Sequence, residues 1–147
     1  MATDQGNRQF VTLANGGLGC IFLEEGHLQQ AVHHLEQESS QLRALGLPHL
    51  LVPNLYRLAV THLRAGRPDK SVECLVEAED CARFSQMPYT QALVHIGRAA
   101  VAVRLGDRVE GARRLAAGRI GLDLEASAFV RLAYRDVQGE LRLVSGD

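Results

Sequence analysis

Apolar residues recur at helical spacing in segment after segment of this chain, and each second segment ends on a glycine. Gly26, Gly66, Gly106 and Gly146 are 40 residues apart (66 − 26 = 106 − 66 = 146 − 106 = 40). Other positions keep the same register. Gly19, Ala59, Ala99 and Gly139 are small, Leu23, Leu63, Val103 and Leu143 are apolar, and Leu35, Leu75 and Leu115 are all leucine. Self-similarity at a fixed period predicts a helical repeat array, in which one helix–turn–helix unit buries its apolar face against the next.

The pattern predicts seven helices. The first covers residues 10–25 and the second residues 27–45, followed by Gly46-Leu47-Pro48, a C-terminal glycine and a proline that stops the helix. Pro48 and Pro88, again 40 apart, open the third and fifth helices, where a missing N–H costs nothing. The fourth starts near Pro68-Asp69 and carries Val72, Leu75, Val76, Glu79 and Ala82 on one face. The sixth starts at Asp107 as N-cap, carries Val109, Ala112 and Leu115, and is expected to close at Gly118 and Gly121. The seventh covers residues 125–144, with Val130, Ala133, Tyr134, Val137, Leu141 and Val144 as an apolar stripe opposite Arg131, Arg135, Gln138 and Arg142. Around Asn15-Gly16-Gly17-Leu18-Gly19 a hairpin competes with the first helix, because Phe10-Val11-Thr12-Leu13 and Cys20-Ile21-Phe22-Leu23 also suit strands. The register of Leu18, Gly19, Leu23 and Gly26 with the later segments favours the helix.

Leu18-Gly19-x2-Phe22, then Gly26, then Ala31-x3-Leu35 is similar to the L-G-x2-Y … A-x3-F signature of the tetratricopeptide repeat. The second unit keeps Leu58, Ala59, Gly66, Ser71 and Leu75, with His62 in the aromatic position. The third keeps Ala99, Gly106, Gly111 and Leu115, with Arg98 and Ala102 departing from the pattern. The period of 40 exceeds the family's usual unit of about 34, and Asn15, Leu55 and His95 stand where tryptophan is expected. HEAT and armadillo arrays, whose repeats are longer, are the competing helical solenoids. The longer-period tetratricopeptide variety, as in bacterial regulators and signalling scaffolds, is the closer resemblance. It implies an all-α, right-handed α-solenoid: one repeat domain over residues 1–147, with antiparallel helix pairs at about 10–46, 48–86 and 88–121 and a C-terminal capping helix at 125–144.

Composition narrows the function classes. Sixteen basic residues balance 17 acidic ones, so no long-range field draws the whole molecule to nucleic acid or an anionic membrane. The six Arg in residues 98–119 lack interleaved aromatics and are expected on an exposed convex face, with no direct nucleic-acid contact. Cys20, Cys74 and Cys81 are odd in number and fall inside helical patterns, which fits small hydrophobes in a reducing compartment. No signal-like or membrane-spanning apolar run is present, so a soluble, cytoplasmic protein without membrane partners is expected.

Candidate chemistry is sparse. The phosphate, dinucleotide, zinc-protease and serine-nucleophile motifs are absent, and Gly16-Gly17-Leu18-Gly19 reads as close helix packing. His27, His33 and His34 lack the spacing of a metal site, and His62 and His95 read as packed or rim imidazoles. Neither an enzyme nor a cofactor or metal is expected. The family's arrangement, in which the first helix of each pair lines a concave face, puts Tyr56, Arg57, Val60, Leu63 and Arg64 in a groove. Leu93, Ile96, Ala100, Val103 and Arg104 join them from the next unit. The charged column Glu24, Arg64 and Arg104, with Arg57 ahead of Arg64 on the same side, adds cationic donors that suit an acidic or C-terminal-carboxylate peptide. The implied function is protein–protein or protein–peptide recognition, in bacterial regulation, with self-association open. A ligand- or peptide-responsive regulatory domain of a transcription factor is the alternative, and an enzyme with an unrecognised site ranks last.

Overall fold

A computed structural model describes residues 2–119 and 128–146 of the chain. Among these residues there are seven α-helices and no strand: α1 (Ala2–Glu24), α2 (Leu28–Leu45), α3 (Pro48–Arg64), α4 (Pro68–Ser85), α5 (Pro88–Arg104), α6 (Arg108–Arg119) and α7 (Ala128–Ser145). The rival hairpin around Asn15-Gly16 does not form, and α1 passes through all its glycines as one helix. It also starts earlier than the apolar pattern suggested. Gly6, Asn7, Arg8 and Gln9 are exposed, so these residues leave no apolar periodic signal.

The boundaries follow from local chemistry. Pro48, Pro68 and Pro88 occupy the first turns of α3, α4 and α5. The Asp107 side chain accepts the Glu110 backbone N–H at 3.0 Å and caps α6. Gly26, Gly46, Gly66, Gly106 and Gly146 all have φ between +65° and +85°, the left-handed conformation in which a helix C-terminus turns back. One register position breaks this rule. Gln86, 40 residues after Gly46, adopts φ 54° and ψ 13° at the end of α4 although it carries a Cβ.

Packing joins each helix to its chain neighbours, as a solenoid requires. The most extensive contacts are α3 with α4, α1 with α2, and α5 with α6; α3 also meets α5, and α5 and α6 meet α7. Leu35 and Leu75 are completely enclosed, and Leu115 is nearly so. Small residues make room for them. A Cβ on Gly19 would come within 2.7 Å of Leu35 Cγ, and one on Gly97 would overlap Leu75 Cδ2. No helix is long and apolar enough to cross a membrane among the described residues.

Pro53 lies inside α3 and supplies no N–H for the His49 carbonyl one turn back. The Tyr89 hydroxyl, from the first turn of α5, donates to that carbonyl at 3.0 Å. Tyr89 is the 40-residue counterpart of His49 (89 − 49 = 40), so the next unit repairs the defect of this one.

Two expectations are corrected, and one falls outside the described residues. Gly118 does not close α6; it lies within that helix, buried, where a Cβ would be 3.2 Å from Ile96 Cγ1 and 3.4 Å from the Ala92 carbonyl. Gly121 and residues 125–127 of the expected seventh helix lie outside the described residues. In α6 the buried face is Gly111, Leu115 and Gly118, while Ala112 is exposed and Val109 is 82% exposed. The helix packs through glycine, so its apolar residues misreport its inner side. Val76 in α4, and Leu143 and Val144 in α7, are likewise exposed.

Two measurements test this packing. Leu75→Ala leaves a cavity at the α3–α4–α5 junction and is expected to cost about 2–5 kcal/mol in urea unfolding; a loss below about 1 kcal/mol would show that the leucine column is not buried. Gln86→Gly relieves the left-handed backbone and is expected to stabilise the protein by about 1 kcal/mol. An unchanged or lowered urea midpoint would rule that conformation out.

Candidate interaction groove

The first helices of successive units do not pack evenly. α3 and α5 are in broad contact, whereas α1 touches α3 only at a few points. The space left is a groove of about 250 Å³, with Tyr56, Arg57, Val60 and Arg64 of α3 as its floor. Cys20, Leu23 and Glu24 of α1 form one wall, and Phe129, Leu132, Ala133 and Asp136 of α7 form the other. Four of the ten residues singled out from the sequence therefore meet in one place.

The other six do not line it. Leu93 and Ile96 are wholly enclosed, and Leu63, Ala100 and Val103 are buried, so none of the five is open to a partner. Arg104 is exposed but lies outside the groove. The predicted column of three charges is thus split. Glu24 and Asp136 face Arg57 and Arg64 across the groove, which makes it charge-balanced where a cationic surface was expected. α7 supplied the residues that sequence reasoning missed. Phe129 packs edge-on against Tyr56, ring centroids 5.8 Å apart, and the Arg57 guanidinium stacks 4.4 Å above the Phe129 ring. Phe129 precedes the apolar stripe recognised in that helix, and its register counterparts Gln9, His49 and Tyr89 do not form a uniformly apolar column.

Burial raises the Tyr56 hydroxyl above the ordinary phenol range, with the Asp136 and Glu140 carboxylates adding to it. Tyr56 therefore remains a neutral phenol at physiological pH and acts as an apolar floor.

Behind Arg57 is a buried polar junction that holds α1, α2 and α3 together. Asn54 donates from Nδ2 to the Leu35 carbonyl at 2.9 Å and to Glu38 Oε2 at 2.7 Å. The Glu38 carboxylate occupies the space where a Cβ on Gly16 would be. Burial raises the Glu38 pKa, while the Asn54 hydrogen bond and the Arg57 charge oppose the rise. Gly16 thus belongs to helix packing around a carboxylate.

A second cleft of about 410 Å³ lies between α2, α3 and α4, lined by Glu36, Arg43, His62, Lys70, Cys74 and Glu77 among others. One pair of its charges is engaged directly. Arg43 holds Glu77 in a two-point contact, with Nη2 to Oε2 at 2.8 Å. Burial pushes the Cys74 thiol up to about 11, with Glu77, Glu36 and Glu73 adding to it, so a nucleophilic thiolate is disfavoured. His62 is buried in the position of the repeat aromatic, with its pKa lowered by desolvation. Phe22, the aromatic of the first unit, stacks on His34 at 5.4 Å. Among the described residues no three His, Cys, Asp or Glu side chains are grouped to hold a metal ion.

Four of the six arginines in residues 98–119 are paired, two of them within α6 itself. Arg98 pairs with Glu79 at 3.1 Å, Arg113 and Arg114 both bond Glu110 at 2.7–2.8 Å, and Arg108 donates to the Val144 carbonyl at 3.1 Å.

The Glu38 junction gives a pH prediction. A carboxyl whose folded pKa is raised binds protons more tightly in the folded state, so its contribution is favourable at low pH and is lost as pH rises through the raised value. Glu38→Gln keeps an oxygen for Asn54 without a charge. Urea unfolding is expected to show the variant level with wild type near about pH 3 and more stable near about pH 8. A difference independent of pH would show that Glu38 titrates normally.

No protein-family model, curated protein or solved structure matches the chain.

Proposed function

We propose that the chain is a right-handed, tetratricopeptide-like solenoid of three antiparallel helix pairs and a capping helix, and that its α1–α3–α7 groove binds a short segment of a partner protein. The observation that carries this reading is the groove's composition. Leu23, Val60, Phe129 and Leu132 offer an apolar surface, and Arg64 stands exposed at its rim. Such a surface suits an extended or helical segment with one apolar anchor and a carboxylate beside it. The 40-residue register and the sequential helix packing support the repeat assignment. A cytoplasmic regulatory or scaffolding role follows from that reading.

The reading is tested with an immobilised library of short peptides of mixed sequence. Wild-type protein is expected to select peptides that combine an apolar residue with an acidic one. Arg64→Glu is expected to weaken the selected peptides at least about tenfold, equivalent to about 1.4 kcal/mol, with its circular dichroism spectrum unchanged. Absence of any selected peptide, or selected peptides that bind Arg64→Glu as tightly as wild type, would overturn the groove assignment.

A further inference from the structure

The register assigns each side of the first helices a task. On α3 and α5 the positions 54/94, 57/97 and 61/101 are largely enclosed, and two of their residues reach the preceding unit: Asn54 bonds the α2 backbone and a Cβ on Gly97 would run into Leu75 of α4, while Thr61, Val94 and Val101 are buried. The same positions on α1 are Ala14, Gly17 and Ile21 (54 − 40, 57 − 40, 61 − 40). Nothing among the described residues covers them. Ile21 is 52% exposed, nothing lies within 4 Å of a Cβ placed on Gly17, and the stripe continues along the helix through Leu13 at 66% and Phe10 at 73%. No charged residue occurs from Gln9 to Leu23, so a stretch of about four helical turns offers apolar surface to water.

From this continuity with the unit-to-unit interfaces we infer that α1 is the dimerisation surface of the protein, packing on α1 of a second copy about a two-fold axis. The stripe is self-complementary. Large residues, Phe10 and Leu13 at one end and Leu18 and Ile21 at the other, flank the small Ala14 and Gly17, so a two-fold axis at the centre lets the backbones approach there and sets each large end against the other. A head-to-tail stack is disfavoured by charge. The outward residues of α7 include Arg131, Arg135, Asp136, Glu140 and Arg142, which an uncharged helix face cannot pair. The interface is independent of the α1–α3–α7 groove, because Gly17 and Ile21 do not line it.

Sedimentation velocity of the full chain, from about 5 µM to about 500 µM, tests this; the range suits a contact of one helix pair, at the small end of stable interfaces. Wild type is expected to move from 16.1 kDa toward twice that mass as concentration rises. A Cβ on Gly17 meets nothing within 4 Å, so Gly17→Arg is expected to keep the wild-type circular dichroism spectrum and remain monomeric throughout. Gly139→Arg, on α7 and equally unobstructed, is expected to dimerise as wild type does. Should Gly17→Arg lose helicity, Ile21→Glu provides the same test from an exposed position. A wild type that stays monomeric, a growth in mass past the dimer without a plateau, or dimerisation of both α1 variants at wild-type strength would each overturn the inference.

Discussion

Leucines wedged against glycine bring neighbouring helices together, between units at Leu75 and within the first pair at Leu35. Leu75 projects from α4 into the space left by Gly97 on α5, and a Cβ at Gly97 would also approach Tyr56 of α3 to 3.4 Å. Leu35 does the same at the α1–α2 contact, against Gly19. Such a wedge works only when a residue without a side chain faces it, because a packed interior has no spare volume for one more carbon. The spacing of α1 against α2 and of α4 against α5 therefore depends on pairing a large with an absent side chain.

Backbone proximity of this kind brings polar groups out of water, and the chain satisfies many of them across units. Asn54 bonds the Leu35 carbonyl, Tyr89 bonds the His49 carbonyl left open by Pro53, and the hydroxyls of Ser85 and Thr90 meet at 2.7 Å between α4 and α5. An unmade buried hydrogen bond costs about 1–3 kcal/mol, so each of these favours one register of the stack over its neighbours. The Pro53–Tyr89 relation shows how closely the units depend on each other: the interior proline of α3 is tolerated where the following unit supplies a donor.

The groove exists because the packing is uneven. α1 stands away from α3, and α7 returns to the same side through Phe129. Arg57 joins the two levels, with its guanidinium over Phe129 in the groove and its charge opposing the raised pKa of buried Glu38 beneath. The shape of the groove is thereby coupled to the core junction below it.

How much of this was legible in the chain depends on which side chains carry the information. The helices, their glycine and proline boundaries, the Asp107 cap and the leucine column follow from residues whose conformational or apolar preference is local, and they were readable from Gly26 to Gly106 by register alone. The inner face of α6 was not, because Gly111 and Gly118 bury backbone and give no apolar signal while Val109 is apolar and exposed. For the groove, the sequence located Tyr56, Arg57, Val60 and Arg64, which share one face of one helix. It could not separate them from Leu93 and Ile96, which have the same period on α5 but are enclosed by neighbouring helices. Nor could it bring Phe129 onto Tyr56. Periodicity determines which side of a helix is apolar; whether that side faces a core, a groove or water is decided only when distant helices are brought together.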